Sequence, residues 1–512
     1  MESMPTEIIR QICKHLCFHC QQPAAFPNAD STEVRDCKSS LSRLCGTSRR
    51  ICAIAQPVLY HYYATGNLPT QAGFGLHHTI REPSEDDKLP LFLRTMMQRP
   101  DLAAHVRALQ LVDSDMVNGC CDDLVRDLGV QMRHFNIQPP DKVGALSCGD
   151  VFLRNRPFSV EGHRWLEELA IALSPRLEML LVAHTAPSRF FWNANISMSQ
   201  LKSLAIRGYS GQYYFSEATS LIAAAPKLQT LYLLDCSHFM GWRQVFDLSL
   251  ELVLANLRQL IVNGLRAEHL EKILRSCSRL QDLEYYQQTA PGIWNVGQVV
   301  QSIMPARHTL RRLYFACLPM ATSNLNLFGH IRQESGAGER TPNYVEDALT
   351  VSYDTSAIES LREFGELQEL GIDQASIYSP SSVDPETNPG RLARLLPPRV
   401  QKLRVMYVYR GMTADLCSLG RQAAELLPAL KHIRLGQAIS LMPKRRAGID
   451  QMSKIRSIAR TDGESICVSW TIDKPGADAR TRIPGGTVHP QFTPCPVDWD
   501  LAPPDDSEYK YY

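Results

Sequence analysis

Residues 228–236 read Leu-Gln-Thr-Leu-Tyr-Leu-Leu-Asp-Cys, and this stretch carries the pattern that decides the fold. Leu228, Leu231 and Leu233 follow the rule Φ-x-x-Φ-x-Φ, in which Φ is an apolar residue. The last two Φ positions are separated by a single residue, so both lie on the same face of a β-strand. The stretch therefore predicts a short strand whose leucines point into a core.

The same six-residue pattern recurs ten times along the chain. Its Φ residues are Val106/Leu109/Leu111, Leu177/Leu180/Val182, Leu201/Leu204/Ile206, Leu228/Leu231/Leu233, Leu257/Leu260/Val262, Leu280/Leu283/Tyr285, Leu310/Leu313/Phe315, Leu367/Leu370/Ile372, Val400/Leu403/Val405 and Leu430/Ile433/Leu435. Between Leu177 and Leu310 successive copies start about 23–30 residues apart, close to the period of about 20–29 residues in leucine-rich repeats. Apolar residues between copies follow helical spacing, as in residues 166–173. Each repeat is thus predicted to contain a helix, a connection and a strand, and stacked neighbours share one core.

The residues between the Φ positions are mostly polar or large, as at Tyr232, Arg258, Glu284, Arg312 and Arg404. We expect these side chains to face outward. The alternative is a chance pattern in a Leu-rich helical protein. In a helix, however, residue i+5 lies about 140° away from residue i, so a helix explains ten apolar i+5 positions poorly. The repeats resemble the irregular, helix-containing kind of leucine-rich repeat.

The amino-terminal segment is predicted to be helical. Pro5 suits a first helical turn, and Ile8, Ile9, Ile12 and Leu16 give the helix a strongly apolar side. A second helical stretch over residues 40–48 continues towards an aromatic block at residues 60–63. These helices are too few to bury a sufficient hydrophobic core of their own.

Two motifs in this segment carry a family resemblance. Residues 5–9 read Pro-Thr-Glu-Ile-Ile, and residues 41–50 follow Leu-x-x-Leu-Cys-x-x-Ser-Arg-Arg. With these motifs about the first 65 residues resemble an F-box of the type common in filamentous-fungal proteins. Met4 stands where the family usually has Leu, and an insert over residues 17–38 separates the first two helices.

The resemblance implies that this segment binds the Skp-family adaptor of a cullin–RING ubiquitin ligase. The adaptor contacts that it implies are Met4, Pro5, Ile8, Ile9, Ile12, Leu16, Leu44 and Ile54. The chain would then be a substrate-recognition subunit that binds a protein substrate through its repeats for ubiquitination and performs no bond chemistry itself. Two alternatives stay open: a plain helical cap on the first repeat, and a leucine-rich-repeat scaffold that acts outside a ubiquitin ligase.

The predicted fold class is α/β with an elongated repeat array. Its parts are an all-α F-box-like unit over residues 1–65, a linker over 66–100, a leucine-rich-repeat solenoid or horseshoe over 101–440, and a cap segment with a Pro-rich tail over 441–512. Polar stretches near 319–350 and 378–390 have the composition of loops. The tail from Lys474 is expected to be disordered.

The composition limits the classes of partner and the cellular compartment that we expect for this chain. Lys and Arg number 54 against 53 Asp and Glu, a balance that argues against nucleic acid, whose binding proteins carry a basic excess. No apolar window reaches the ~18 residues that a membrane span needs. The start MESMPTEIIRQ lacks the pattern of a secretory leader. We therefore expect an intracellular protein of the cytoplasm or nucleus, with its 15 cysteines as thiols.

The sequence contains none of the catalytic motifs Gly-x-Ser-x-Gly, Gly-x-x-x-x-Gly-Lys-Ser/Thr and His-Glu-x-x-His. We assign no catalytic residue, no cofactor and no metal, although a Cys–His pair that meets only in space is left open. Cys17 and Cys20 form a Cys-x-x-Cys with Cys13 and Cys37 nearby, which in principle could bind zinc. A second Cys-x-x-Cys at matched spacing is absent, so the zinc question also stays open.

Overall fold

A computed structural model of the chain describes its main helices and strands. The described residues are 4–23, 26, 32–65, 89–112, 122–135, 137, 160–183, 196–207, 221–234, 254–263, 265–289, 296–319, 358–378, 389–408, 411–438 and 455–473. They fall into two compact units, with the boundary between Leu257 and Arg258. Both units mix α-helices with mostly parallel β-strands, so the protein is α/β.

The first unit begins with a group of amino-terminal helices. They are α1 (Thr6–His15), α2 (Phe18–Gln21), α3 (Thr32–Cys45) and α4 (Arg49–Leu59). Ser48 caps α4, because its hydroxyl accepts from the backbone N–H of Ile51 at 3.3 Å. Helix α3 starts well before the predicted stretch 40–48, so the insert 17–38 supplies α2 and the first half of α3.

Five parallel strands follow in the first unit, with helices between them. The elements are β1 (Tyr62–Ala64), α5 (Leu89–Gln98), α6 (Pro100–Ala103), β2 (Ala108–Val112), α7 (Asp122–His134), α8 (Val160–Ala172), β3 (Met179–Ala183), β4 (Ser203–Arg207) and β5 (Thr230–Leu234). The strands lie side by side in chain order. Leu109, Leu180, Leu204 and Leu231 lie opposite one another in register and are fully buried. The described helices and this leucine row form a continuous core.

The second unit repeats the same alternation. Its elements are β6 (Gln259–Asn263), α9 (Ala267–Ser276), β7 (Asp282–Thr289), α10 (Val296–Ile303) with a 3₁₀ turn over Met304–Ala306, β8 (Arg312–Pro319), β9 (Glu369–Asp373), α11 (Gln374–Tyr378), α12 (Arg391–Leu395), β10 (Lys402–Val408), α13 (Thr413–Leu426), β11 (His432–Ala438), β12 (Ser457–Ala459) and β13 (Ser465–Asp473). Strands β6 to β11 are parallel in chain order. Beyond them, β13 pairs parallel with β11, and β12 pairs antiparallel with β13.

The ten sequence motifs coincide with the ten strands β2 to β11, which confirms the predicted strand positions. Strands β2 to β5 and β7 to β11 also start with the same backbone contact, in which two consecutive N–H groups donate to one carbonyl oxygen of the preceding strand's start. Lys202 and Ser203 donate to the Glu178 carbonyl at 2.8 and 3.1 Å, and Arg311 and Arg312 donate to that of Gln281 at 2.8 and 2.9 Å. The sequence repeat is therefore also a repeat of backbone hydrogen bonding.

The second face of the strands differs from the prediction. Arg258 and Arg312 are exposed as expected, but Glu284 and Arg404 are each only 5% exposed. Gln110, at the equivalent position of β2, is fully buried. The outward prediction was wrong at Glu284 and Arg404, because an alternating pattern identifies two strand faces without showing whether the second face is covered.

A row of alternating charges crosses four strands of the second unit. Asp282, Arg312, Glu369 and Lys402 begin β7 to β10 and lie opposite one another in register. Arg312 Nη2 is 2.5 Å from a carboxylate oxygen of Asp282, and Lys402 Nζ is 2.8 Å from one of Glu369. The order negative, positive, negative, positive gives every member a neighbour of opposite sign.

A buried carboxylate joins three short segments of the second unit. Asp415, in the first turn of α13, is fully buried. It accepts hydrogen bonds from the Tyr378 hydroxyl at 2.6 Å, the Gly390 N–H at 2.5 Å and the Leu392 N–H at 3.2 Å. Gly390 has a φ of 94°, a left-handed conformation that favours glycine. The carboxylate thus ties α11, the start of α12 and α13 together.

The predicted linker over 66–100 needs a correction from residue 89 onwards. Helix α5 lies there, since Leu89, Phe92, Leu93 and Met96 have helical spacing and are buried. Most of the predicted loops, residues 320–350 and 379–388, and the tail from Lys474 lie outside the described residues. Where the chain is described, no helix combines the length and the apolar character that crossing a bilayer requires.

Candidate functional site

Helix α1 carries most of the predicted partner contacts. Pro5 precedes its first residue, a position where the missing N–H is harmless because first-turn N–H groups lack partners within the helix. Glu7 in the first turn and Lys14 in the last turn complement the helix dipole. Arg50 of α4 donates from Nη2 to the Met4 carbonyl oxygen at 2.7 Å, which fixes the start of α1 against α4.

The inner side of α1 builds the core of the amino-terminal helices. Ile9 is 2% exposed and Cys13 is fully buried, and both pack with residues of α3 and α4. The other buried members of this core are Cys17, Leu41, Ile51, Ala55 and Val58. Among the eight predicted contact residues, Ile9 is therefore the one whose side chain faces the core instead of a partner.

The outer side of α1 is apolar and accessible. Pro5, Ile8 and Ile12 follow helical spacing, and we call them the outer apolar face. Ile8 is 48% exposed, Pro5 is exposed and Ile12 is half-buried. The four remaining predicted residues are half-buried and pack at the edge of the helical core, namely Met4, Leu16, Leu44 and Ile54. The structure thus brings seven of the eight residues to accessible or half-accessible positions.

A second feature of the same helices is a cluster of two thiols and an imidazole. Cys20 Sγ lies 3.2 Å from Nδ1 of His61, and Cys17 Sγ lies 3.9 Å from the same nitrogen. The three ligand atoms all lie within 4.8 Å of one another. Cys17 is buried, and Cys20 and His61 are half-buried. We call these three residues the thiol–imidazole cluster.

Local folding explains how the cluster forms. Cys17 precedes α2, and its carbonyl oxygen accepts from the Cys20 N–H at 3.0 Å, so one tight turn brings the two thiols together. His61 stands between α4 and β1, and its carbonyl accepts from the N–H groups of Arg107 and Ala108, both at 2.9 Å. The same backbone contact starts β3 to β5 and β7 to β11. His61 is therefore held by the first step of the repeat array.

Electrostatics distinguish the two sulfurs. The hydrogen bond from Cys20, together with the hydrogen bond and the charge of His61, lowers the pKa of Cys17 to about 4. The same bond raises the pKa of Cys20, because Cys20 is the donor. The cluster thus stabilises a thiolate at Cys17, the form of cysteine that binds metals and acts as a nucleophile.

Two further imidazoles surround His61. The rings of His19 and His61 meet edge-on with centroids 5.8 Å apart, and the ring of His105 stacks on His61 at 6.3 Å. His19 is buried, and neither of its ring nitrogens has a hydrogen-bond partner. Burial lowers the pKa of His19, which keeps its imidazole neutral. A buried imidazole without partners is costly unless a ligand supplies one.

The sequence predicted two of the three residues of this cluster. Cys17 and Cys20 were recognised by their spacing, but His61 was missed because nothing in its surroundings, Tyr60-His61-Tyr62-Tyr63, marks it as a ligand. The signal lies in the fold, because α3 and α4 return the chain to Cys20.

Comparison with known proteins adds no relative: no family model matches the chain, and no curated protein matches it.

Proposed function

We propose that this chain is the substrate-recognition subunit of a Skp–cullin–F-box type ubiquitin ligase. In this proposal the F-box-like helices within residues 1–65 bind a Skp-family adaptor. The strands β2 to β11 belong to a leucine-rich-repeat solenoid over residues 101–440, which binds a protein substrate.

The exposed outer apolar face is the observation that carries the adaptor proposal. Ile8 exposes 48% of its surface on the helix whose motif resembles an F-box, while the neighbouring Ile9 is buried. Burying a fully exposed isoleucine contributes roughly 1.5–3 kcal/mol, so covering the half of Ile8 that is still accessible would contribute up to about half of that value. A small helical unit with an open apolar side also gains stability from such a partner.

The repeated backbone contact supports the solenoid part of the proposal. Ten motifs correspond to ten parallel strands, and the same pair of N–H groups binds one carbonyl of the preceding repeat at step after step. Helices between strands, such as α8 and α13, agree with the helix-containing kind of leucine-rich repeat. Stacked repeats present extended surfaces that suit protein partners.

The mechanism requires no bond chemistry from this chain. The receptor holds its substrate near the conjugating enzyme, which raises the effective concentration of a substrate lysine at the reactive site. A polypeptide partner also agrees with the net charge of +1, because neither surface needs an excess of one sign.

The test is co-purification of the adaptor and cullin with the full chain. A Pro5→Ala, Ile8→Asp double variant should lose both partners, since a buried carboxylate in the interface would be unpaired. The matched control is Val130→Asp on α7, where an equally exposed apolar residue, 50% accessible, lies outside the F-box-like helices. It should keep both partners.

Equal recovery of the adaptor with the double variant would overturn the docking proposal. Recovery of a protein partner without any cullin from the wild-type chain would instead favour a leucine-rich-repeat scaffold that acts outside a ubiquitin ligase. Circular dichroism of all three proteins checks that the substitutions leave the fold intact.

A further inference from the structure

We propose that Cys17, Cys20 and His61 bind one zinc ion, which joins the segment between α1 and α3 to the start of the repeat array. The proposal does not depend on the proposed ligase function, because it concerns the construction of the first unit.

The distances fit zinc. Zn–S bonds of about 2.3 Å and Zn–N bonds of about 2.0 Å at a tetrahedral angle place sulfur and nitrogen ligands roughly 3.6 Å apart. Cys20 Sγ and Cys17 Sγ lie 3.2 and 3.9 Å from His61 Nδ1, one on each side of that value. Small side-chain rotations therefore bring all three atoms to bonding distance around one ion.

The chemistry of the ligands also fits zinc. Two thiolates and an imidazole form a soft set of donors that zinc accepts in tetrahedral sites, whereas calcium and magnesium prefer oxygen. Two thiolates neutralise the charge of a divalent ion, so the buried site would carry no net charge.

His19 is the residue that we assign to the fourth position. It lies between the two cysteines in the sequence, it is buried, and both of its ring nitrogens lack partners. Its ring is edge-on to that of His61. The three ligand atoms within 4.8 Å of one another do not include a His19 nitrogen, so the His19 ring must turn towards the ion to complete the site. Binding would then satisfy a nitrogen that the protein itself leaves without a hydrogen bond.

The position of the cluster gives the ion a structural role. His61 is fixed by the N–H groups of Arg107 and Ala108, while Cys17 and Cys20 lie at the start of the insert. Beyond the cluster, Phe26 of the insert meets Tyr232 of β5 edge-on, with ring centroids 6.1 Å apart. Phe26 of the insert thus contacts a strand, and the ion would fix the beginning of the insert next to the first strands.

A redox-active dithiol is the rival interpretation, because Cys-x-x-Cys with one low-pKa thiol is also the pattern of thiol–disulfide exchange. Oxidation would join Cys17 to Cys20 and release two electrons and two protons to an oxidant. The two interpretations differ in what they need: zinc requires His61, whereas a disulfide requires only the two sulfurs.

The experiment measures zinc binding by the full chain. The protein is purified with a reductant, stripped with a chelator, and titrated with Zn²⁺ against a chromophoric competitor. We expect one zinc per chain for the wild type. Cys17→Ser, Cys20→Ser and His61→Ala should each weaken binding at least tenfold, and Co²⁺ in place of zinc should give the ligand-field spectrum of a tetrahedral thiolate site.

The chain offers a matched control. Cys45 and Cys52 form another thiol pair in the same helices. Burial raises the pKa of Cys45, and the charge and the hydrogen bond of Cys52 raise it further. No imidazole joins that pair among the described residues in the way that His61 joins Cys17 and Cys20. A Cys45→Ser, Cys52→Ser variant should therefore bind zinc as the wild type does.

Three results would overturn the proposal. The first is that the wild type does not bind zinc stoichiometrically. The second is that the Cys45→Ser, Cys52→Ser control loses as much zinc affinity as the cluster variants do. The third is that His61→Ala binds zinc as tightly as the wild type. A disulfide between Cys17 and Cys20 that forms under mild oxidation even with zinc present would establish the rival. For the fourth position, His19→Ala should weaken binding at least tenfold, and an unchanged affinity would refute that assignment.

Discussion

Each unit of the molecule buries a polar cluster, and the two clusters are completed in opposite ways. In the second unit, Asp415 receives three hydrogen bonds from Tyr378, Gly390 and Leu392, so the protein itself satisfies the carboxylate. In the first unit, the thiol–imidazole cluster lies beside His19, whose ring nitrogens have no partner. The hydrogen bonds of Asp415 stabilise the fold, whereas the thiol–imidazole cluster and His19 offer sulfur and nitrogen atoms that could bind a ligand.

The presence or absence of hydrogen bonds thus separates a polar group that stabilises the fold from one that is available to a ligand. Burial alone does not distinguish them, because Asp415 and His19 are both buried. What distinguishes these two residues is hydrogen bonding, since a buried polar atom without a partner costs free energy. Four stability measurements test whether the two clusters differ in this way.

The largest expected effect is that of Asp415→Ala. The substitution leaves two backbone N–H groups and one hydroxyl without their buried acceptor, and we expect the free energy of unfolding to fall by about 3–5 kcal/mol. Chemical denaturation measures this loss. Glu425→Ala on the same helix, at an exposed position, is the control and should change stability by less than about 0.5 kcal/mol.

Zinc should produce the next largest effect, and only through the first unit. A ligand present at 100 times its dissociation constant stabilises the folded state by about 2.7 kcal/mol, provided that the unfolded chain does not bind it. We expect this gain in the wild type and its loss in Cys20→Ser, measured by denaturation with and without zinc. Equal stabilisation of both proteins would contradict a site at the cluster.

Tyr378→Phe should have a smaller effect, because it removes one of the three donors to Asp415. The carboxylate keeps the Gly390 and Leu392 N–H groups, so we expect a loss of about 1–2 kcal/mol. The value must lie below that of Asp415→Ala. A loss as large as the Asp415 variant shows would mean that the tyrosine hydroxyl organises the whole cluster.

The smallest effect is expected for His19→Phe in the metal-free protein. The change replaces a buried imidazole without hydrogen bonds by an apolar ring, so unfolding free energy should change by less than about 1 kcal/mol. In the presence of zinc the variant should lack the gain that the wild type shows. A strong destabilisation without zinc would remove the contrast between the two clusters.

The strands were predictable because their signal is local. Alternation at Leu231 and Leu233 is a property of neighbouring residues, and its ten copies reinforce one another. The linker predicted over 66–100 left out helix α5, although Leu89, Phe92 and Leu93 already show helical spacing. Local patterns of this kind are within reach of sequence reasoning, provided that each window is examined separately.

The remaining features depend on the topology, so local sequence patterns could not predict them. His61 meets Cys20 only because four helices fold back on themselves, and no pattern around residue 61 records this. Ile9 and Ile8 are chemically identical neighbours, and only the packing of α3 and α4 decides that the first is buried and the second exposed. Whether the second face of the strands is covered, as it is at Glu284, likewise depends on residues that are distant in the sequence.

The charge row across β7 to β10 restricts how an array of this kind can change in length. Asp282, Arg312, Glu369 and Lys402 alternate in sign, so loss of the single repeat that carries Arg312 would place Asp282 beside Glu369. Two neighbouring carboxylates repel each other, whereas removal of two adjacent repeats restores opposite signs. Along this part of the chain, gain or loss of repeats by recombination is therefore least disruptive in pairs.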